Sequence, residues 1–363
     1  MSATVTPLQQ TSFSKDLPQH QGSKETSLAN DYLNKLWKKG TDFLGCEYAI
    51  LGGAMTWVSE SNLVAAISNA GGFGILASGS MSPDLLDTEI QKTKEKTSKP
   101  FGVNLITLHP ELDALIDVCI KQACSHVILA GGIPPKYAIQ SLKDHKIKVI
   151  CFAPALALAK RMIKYGADAL VIEGNEAGGH IGPVSTSVLA QEILPHITDV
   201  PVFIAGGIGR GETMLSYLEM GASGCQLGTR FVCATECTAH PNFKKAFVKA
   251  AARNAGISSQ LDPRLPVIPV RALTNKGTEN FMAYQREMIE KVNNQEIEIT
   301  EAQLMIEHYW AGALRKAVVD GDVEQGSLMA GQSVGLVTKE EPVASIIADL
   351  REQALHRIEQ RAL

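Results

Sequence analysis

The stretch Pro201-Val-Phe-Ile-Ala-Gly-Gly-Ile-Gly-Arg-Gly-Glu212, followed by Gly221-Ala-Ser-Gly-Cys-Gln-Leu-Gly-Thr-Arg-Phe231, decides the fold. Pro201 to Ala205 is a short apolar run without alternation, the pattern of a strand covered on both faces. Gly206, Gly207, Gly209 and Gly211 free the backbone for a tight turn at a helix start, where outward N–H groups attract an anion. Gln226 to Gly228 ends a second such strand, and Gly228-Thr229-Arg230 offers further donors. Two adjacent βα loops of this kind form the phosphate site of many (β/α)8 barrels, at the seventh and eighth strands.

The same rhythm runs through the preceding chain. Strands are expected at Ala49–Gly53, Phe73–Ala77, Phe101–Ile106, His126–Ala130, Lys148–Phe152, Ala169–Glu173, Val202–Ala205 and Gly224–Gly228, with amphipathic helices between them. Tyr165-Gly166 and Met220-Gly221 carry helix C-cap chemistry. Eight βα units predict an α/β protein built on a TIM barrel. A dinucleotide-binding domain starting at Pro201 is the competing fold, but Glu212 breaks the G-x-G-x-x-G spacing. Residues 1–27, polar and carrying Pro7 and Pro18, read as a disordered tail. A short helix, Leu28 to Lys39, then leads into a barrel over 28–236. After Phe231 the rhythm stops. Residues 237–309 read as a small, mainly helical insertion after the eighth strand, and 310–363 as a C-terminal segment that closes the barrel.

The chain has 363 residues and a formal net charge of −4, which argues against a nucleic-acid partner. No apolar run is long enough for a membrane span, and no signal-peptide core is visible. The seven Cys have no metal-type spacing, so no metal site is expected, and they read as reduced thiols of a cytoplasmic protein.

In a barrel, strand C-termini mark the active site. Those positions hold Gly53, Ala54 and Met55, then Asn104, then Glu173, then the loop Asn175–Gly182, and finally the two phosphate loops. Such a Gly-rich mouth with few charges suits a flat cofactor approached closely by backbone. Met55 offers a soft apolar face, and Asn104, Glu173 and Gln226 can hydrogen-bond a ring edge. His180 is the candidate catalytic residue, because its imidazole exchanges a proton near neutral pH; Glu176 is the alternative acid.

Gly52-Gly-Ala-Met-Thr-Trp-Val58, Ala70-Gly-Gly-Phe-Gly74, Pro100-Phe-Gly-Val-Asn104, Glu173-Gly-Asn-Glu-Ala-Gly-Gly-His-Ile-Gly182, Ala205-Gly-Gly-Ile208 and Gln226-Leu-Gly-Thr-Arg-Phe231 occur in this order. Together they resemble the nitronate monooxygenase and enoyl-ACP reductase II family, FMN-dependent TIM-barrel flavoproteins, from about residue 43 to the C-terminus. The resemblance implies FMN contacts at Gly53, Ala54, Met55, Asn104, Glu173, Gly178, Gly179, Gly207, Gln226, Leu227, Gly228 and Thr229, and NADH or NADPH as co-substrate. Nitronate monooxygenases often carry Gln where Glu173 stands. Those resembling the bacterial class carry a catalytic His after the fourth strand, where this chain has Leu129-Ala-Gly-Gly-Ile-Pro134. The block Gly312–Gln332 and Ala239-His-Pro-Asn242 are similar to the reductase.

The implied activity is NAD(P)H-dependent reduction of a trans-2-enoyl-ACP in fatty-acid synthesis. The alternatives are a nitronate monooxygenase using O2, and a non-catalytic protein that binds flavin or a phosphate ligand. A resemblance to inosine monophosphate dehydrogenase extends to the phosphate loops only, since residues 174–184 lack the Cys nucleophile. The expected partner is a small-molecule or carrier-protein-bound substrate, with Lys244, Lys245, Lys249 and Arg253 as a basic face for the carrier. A homodimer is compatible with the sequence.

Overall fold

The computed structural model describes residues 23–265 and 269–361. The expected tail therefore lies mostly outside the described residues. Residues 23–27 already belong to helix α1 (Ser23–Leu44), which is longer than the Leu28–Lys39 segment expected.

Eight parallel strands form the core. They are β1 (Ile50–Gly52), β2 (Gly74–Ala77), β3 (Phe101–Ile106), β4 (His126–Ala130), β5 (Lys148–Phe152), β6 (Ala169–Glu173), β8 (Val202–Ala205) and β9 (Gly224–Leu227). Their order is β1-β9-β8-β6-β5-β4-β3-β2. A parallel bridge between Leu51 and Phe73 joins β1 to β2 and brings the ends of the sheet together. Every residue of β1, β2, β8 and β9 is buried, as expected of strands with helices outside and packed side chains within.

The helices between them are α2 (Ser61–Asn69), α3 (Pro83–Lys96), α4 (Leu112–Lys121), α5 (Lys136–Asp144), α6 (Leu156–Tyr165), α7 (Thr186–Ile193) and α8 (Gly211–Glu219). Local chemistry sets their ends. Ser82 accepts from the Leu85 amide, with Pro83 opening α3. Gly166, at φ 108°, ends α6 in the left-handed conformation.

After β9 come the short α9 (Thr229–Val232), α10 (Pro241–Lys249), strands β10 (Ala255–Ile257) and β11 (Val270–Leu273), and the long helices α11 (Lys276–Asn293) and α12 (Ile299–Val318). The insertion is thus not helical alone. β10 and β11 form an antiparallel sheet with β7 (Gly179–His180), a two-residue strand in the loop after β6. The insertion also has its own core around Phe281, Met288, Ala302 and Ile306. α12 runs through position 309, where the sequence suggests a boundary.

The closing helix α13 (Val343–Arg361) packs on the barrel through Val343, Ile346, Ile347, Leu350 and Leu355, the residues its periodicity picks out. The buried Arg230 ties the helix and the residue run just before it to the barrel. Arg230, on α9, pairs with Glu341 at 2.8 Å and with Asp349 at 3.3 Å. The helix is also keyed by a close approach: Gln353 accepts from the Gly211 amide at 2.8 Å, and a Cβ on Gly211 would lie 1.9 Å from the Leu350 carbonyl oxygen.

No helix among the described residues is long and apolar enough to cross a membrane. All seven cysteines are free thiols.

Gly211→Ala is expected to destabilise the protein by about 1–3 kcal/mol, because backbone must shift to admit the methyl group. Gly312→Ala, at a helix position with nothing within 4 Å of the new atom, should be neutral or stabilising. Thermal unfolding of the two variants checks both signs.

Candidate active site

The C-terminal ends of the barrel strands gather the polar residues expected there. Glu173 on β6 lies in register with Ala205 on β8, and Ala205 with Gln226 on β9. In-register side chains of parallel neighbours share a face, so Glu173 and Gln226 face the same way, roughly 10 Å apart, two strand spacings. Asn104 is 5% exposed and donates to the Ile128 carbonyl at 3.3 Å; Gln226 is 7% exposed. Neither the Gln226 amide nor the Glu173 carboxyl has a hydrogen-bond partner among the described residues. Both polar ends are therefore free to hydrogen-bond a bound group.

The loop after β1 brings Gly53 and Met55 against the loop after β9. The Gly53 amide donates to the Leu227 carbonyl at 2.8 Å, and a Cβ on Gly53 would meet Gly228 at 3.2 Å. Ser59 braces this turn, donating to the Gly53 carbonyl at 2.7 Å and accepting from the Met55 amide at 3.0 Å. Ala54, half-buried, lies between them.

On the opposite side, Gly206 and Gly207 take φ of 90° and 77°, values that favour glycine. Among the described residues, the amides of Gly207, Ile208 and Gly228 donate to no protein acceptor. Thr229 accepts from the Gly331 amide at 2.9 Å, which draws the C-terminal segment over both loops. Small residues and unmet amides fit a phosphate held by backbone, with the neighbouring Glu176 side chain, which packs against Gly207, turned to Thr186. With the unmet polar ends of Glu173 and Gln226, the donor set fits a phosphorylated planar cofactor.

The loop from Gly174 to Gly182 is pinned at nearly every residue. Glu176 accepts from the Thr186 amide at 2.7 Å and from its hydroxyl at 2.5 Å, so its carboxylate serves the start of α7. Its carbonyl accepts from the Gln332 amide at 2.9 Å. Gly178 abuts Ala330 and Gly331, with a would-be Cβ 2.5 Å from the Gly331 nitrogen. Gly179 and His180 pair with Arg271 and Val270 of β11. His180 is solvent-exposed at the rim.

Arg271, which sequence reading missed, is 5% exposed and donates to the Asn175 carbonyl at 2.8 Å and the Ala255 carbonyl at 2.5 Å. Burial pushes its guanidinium down from the ordinary value, and nearby Glu176 works against that. The available signal was a cation inside the apolar strand Val270-Arg-Ala-Leu273.

His126 is at the far end of the barrel, as its place at the start of β4 implies. Its ring is buried edge-on to Phe43 and Phe73, Nε2 is 3.0 Å from the Phe43 carbonyl, and burial lowers its pKa to about 4. The expected basic face is smaller than four residues. Lys244 is buried, donating to the Ala234 carbonyl and to Glu340 at 2.6 Å, because its position on α10 faces inward. Lys245, Lys249 and Arg253 remain exposed.

A family model described as nitronate monooxygenase matches residues 38–115 and 111–353. The chain belongs to the nitronate monooxygenase family. Among its relatives is the (3aS,4S,5R,7aS)-5-hydroxy-7a-methyl-1-oxo-octahydro-1H-indene-4-carboxyl-CoA dehydrogenase of Mycobacterium tuberculosis, 30% identical over 337 residues, 85% of this chain and 94% of that one. A probable nitronate monooxygenase of Staphylococcus aureus is 26% identical over 366 residues, 88% of this chain and 98% of that one. FabK from Thermotoga maritima shares the fold at a TM-score of 0.80 and 38% identity, over 89% of this chain and 97% of that one. Dehydrogenases and monooxygenases are oxidoreductases, and this member of the nitronate monooxygenase family is one too.

In this member the loop after β4 carries Gly131, Gly132, Ile133 and Pro134 and no His. It borders a cavity of about 250 Å³ at the ends of β4, β5 and β6. Ile133, Pro134, Phe152, Leu158 and Met162 make its walls apolar, and Glu173 is the titratable residue in its lining. Burial alone raises the Glu173 pKa to about 8, from an ordinary 4.5. The carboxyl is therefore held toward its neutral form at pH 7, in which it can donate a hydrogen bond to a bound group as well as accept one.

Because the folded pKa lies above the unfolded one, Glu173 costs nothing below pH 4.5 and destabilises the ligand-free fold progressively up to about pH 8. Glu173→Gln removes the ionisation. The melting temperature of ligand-free Glu173→Gln should therefore rise relative to wild type between pH 5 and pH 8, on the order of a few °C. A difference that stays constant over that range means Glu173 finds a partner in solution.

Proposed function

We propose that this protein is an FMN-dependent enoyl-thioester reductase, taking hydride from NADH or NADPH and acting on a 2-enoyl group carried by acyl carrier protein. The observation that carries this reading is the loop after β4. Where the bacterial-type nitronate monooxygenases that the chain resembles have a catalytic His, this chain has an apolar loop beside an apolar cavity. That cavity suits an acyl chain better than a small anionic nitronate. The similarity to FabK and to a CoA-thioester dehydrogenase supports the same substrate class.

The amides of Gly207, Ile208, Gly228 and Thr229 would hold the phosphate of the cofactor. Gln226, Glu173 and Asn104 would hydrogen-bond its polar ring edge, while Gly53, Ala54, Met55, Gly178, Gly179 and the backbone of Leu227 would pack against it. When bound, FMN supplies the relay of hydride from nicotinamide to the β-carbon of the enoyl group. The apolar walls exclude water from that carbon. His180 gives a ring N–H proton to the α-carbon and regains one from solvent, for which its exposed position is suited. Lys245, Lys249 and Arg253 offer the acidic carrier a basic surface, which chiefly speeds association.

A nitronate monooxygenase is the second reading, favoured by the family description and by the Staphylococcus aureus relatives. Oxygen-dependent consumption of an alkyl nitronate, measured beside NAD(P)H-dependent reduction of a 2-enoyl thioester, separates the two.

Cofactor released by heat should run as FMN on chromatography, since the mouth offers one anion site and no adenine-side motif. FAD or no flavin in the extract overturns the assignment.

His180→Ala should retain the cofactor and slow the enoyl half-reaction about 10²–10⁴-fold, with a smaller effect on reduction by NAD(P)H. Stopped-flow absorbance follows the two half-reactions separately. Near-normal enoyl turnover would reduce His180 to a brace for its loop.

A further inference from the structure

We infer that Arg271 is a positioning residue, reaching from the insertion to hold the active-site loop that carries His180. That His180 is the proton donor is the reading above, on which the catalytic consequence rests; the clamp itself does not depend on it.

One strand grips the loop at both ends. At the near end, the Arg271 guanidinium donates through Nε to the carbonyl of Asn175 at 2.8 Å. At the far end, the backbone of β11 pairs with Gly179 and His180, and the Ile181 amide donates to the Pro269 carbonyl at 3.0 Å. The same guanidinium also donates to the Ala255 carbonyl on β10, so it spans the barrel loop and the insertion sheet. The planar fork of arginine can serve two acceptors on different segments at once; the single ammonium of lysine is less well shaped for it.

The cost of this arrangement argues that it is retained for placement. Arg271 is buried, and no carboxylate lies within hydrogen-bond distance of it among the described residues. The neighbouring Glu176 is committed to Thr186 at 2.7 and 2.5 Å. A buried cation that hydrogen-bonds only to carbonyl oxygens, with its nearest counter-charge Glu176 acting from beyond hydrogen-bond distance, is an expensive way to fill space, and an apolar side chain of similar volume is often as stable or more so. Filling this space would not require a guanidinium. Fixing the carbonyl of Asn175, five residues before His180, does.

The test uses the cofactor-loaded, full-length protein with Arg271→Met and Arg271→Lys beside His180→Ala. Hydrogen exchange reports the clamp. The Ile181 amide should exchange about tenfold faster in Arg271→Met, the loss expected when a hydrogen bond to a charged group goes. The melting temperature should fall by no more than a few °C. In stopped flow, the acceptor half-reaction should slow about 10²-fold, the usual consequence of a misplacement near 1 Å, while KM and reduction by NAD(P)H change little. Arg271→Lys should recover part of both effects.

Unchanged exchange at Ile181 in Arg271→Met overturns the clamp. So does an equal slowing of both half-reactions together with a large fall in melting temperature, which marks a general structural support. If Arg271→Met fails to fold, Arg271→Lys carries the same comparison, because it keeps the charge and loses the two-point contact. His180→Ala separates the two readings. If that variant keeps a normal acceptor half-reaction, His180 is not the proton donor, and the exchange rate at Ile181 still decides whether Arg271 holds the loop.

Discussion

The backbone of Gly178 lies so close to Ala330 and Gly331 that no side chain fits between them, the space for a Cβ ending 2.5 Å from the Gly331 nitrogen. This contact stacks three segments that are far apart in sequence. The loop after β6 lies against the C-terminal segment, and the Gly331 amide donates across to Thr229 in the loop after β9. The Gln332 amide adds a second tie, to the Glu176 carbonyl. The loops after β6 and β9 and the C-terminal segment over them are therefore packed together as one unit. Interiors are too densely packed for such a contact to give way without moving everything it touches.

Electrostatics divide the barrel into two ends. At the bottom, His126 is buried between aromatic edges, its pKa lowered to about 4, and is neutral at any physiological pH. At the top, Glu173 opens on an apolar cavity with no partner, and its carboxyl is pushed up to about 8. One is a satisfied structural histidine, and the other an unsatisfied acid. Unsatisfied polar groups cost stability and persist where a ligand repays the cost. Glu176 shows the contrast within a single loop. Three residues from Glu173, it is bound to the amide and hydroxyl of Thr186, so its chemistry is spent on holding a helix start.

The insertion changes meaning once its sheet is visible. As a sequence it is a break in the βα rhythm followed by amphipathic helices. In the fold, β11 is an extension of the active-site loop, because two residues of that loop become the third strand of the insertion's sheet. The site is thus held from both sides, by the C-terminal segment at Gly178 and by the insertion at Asn175, Gly179, His180 and Ile181. Arg230 ties the same C-terminal segment back to the loop after β9 through Glu341 and Asp349.

The barrel was legible in the chain because its signals are local. Apolar runs such as Val202–Ala205, a glycine after a helix such as Gly166, and a loop such as Ala205-Gly-Gly-Ile208 each depend on a few neighbouring residues. They predict five of the eight barrel strands to the residue, His126–Ala130 among them, and the others to within one. The mouth residues Asn104, Glu173 and Gln226 follow directly, since a barrel strand has one functional end. What the chain could not show is which charges are spent on structure. Lys244 and Lys245 are adjacent in sequence, yet one is buried on Glu340 and the other is exposed, because a helix turns about 100° per residue and only packing sets which face is inward. Arg271 has no local motif, and its role exists only because β11 lies beside Gly179, more than ninety residues earlier in the chain. Sequence determined the strands, the Gly-rich loops and the residues at the barrel mouth. Tertiary structure alone decided how those loops are locked together, since hydrogen bonds and close contacts across long sequence separations leave no periodic trace.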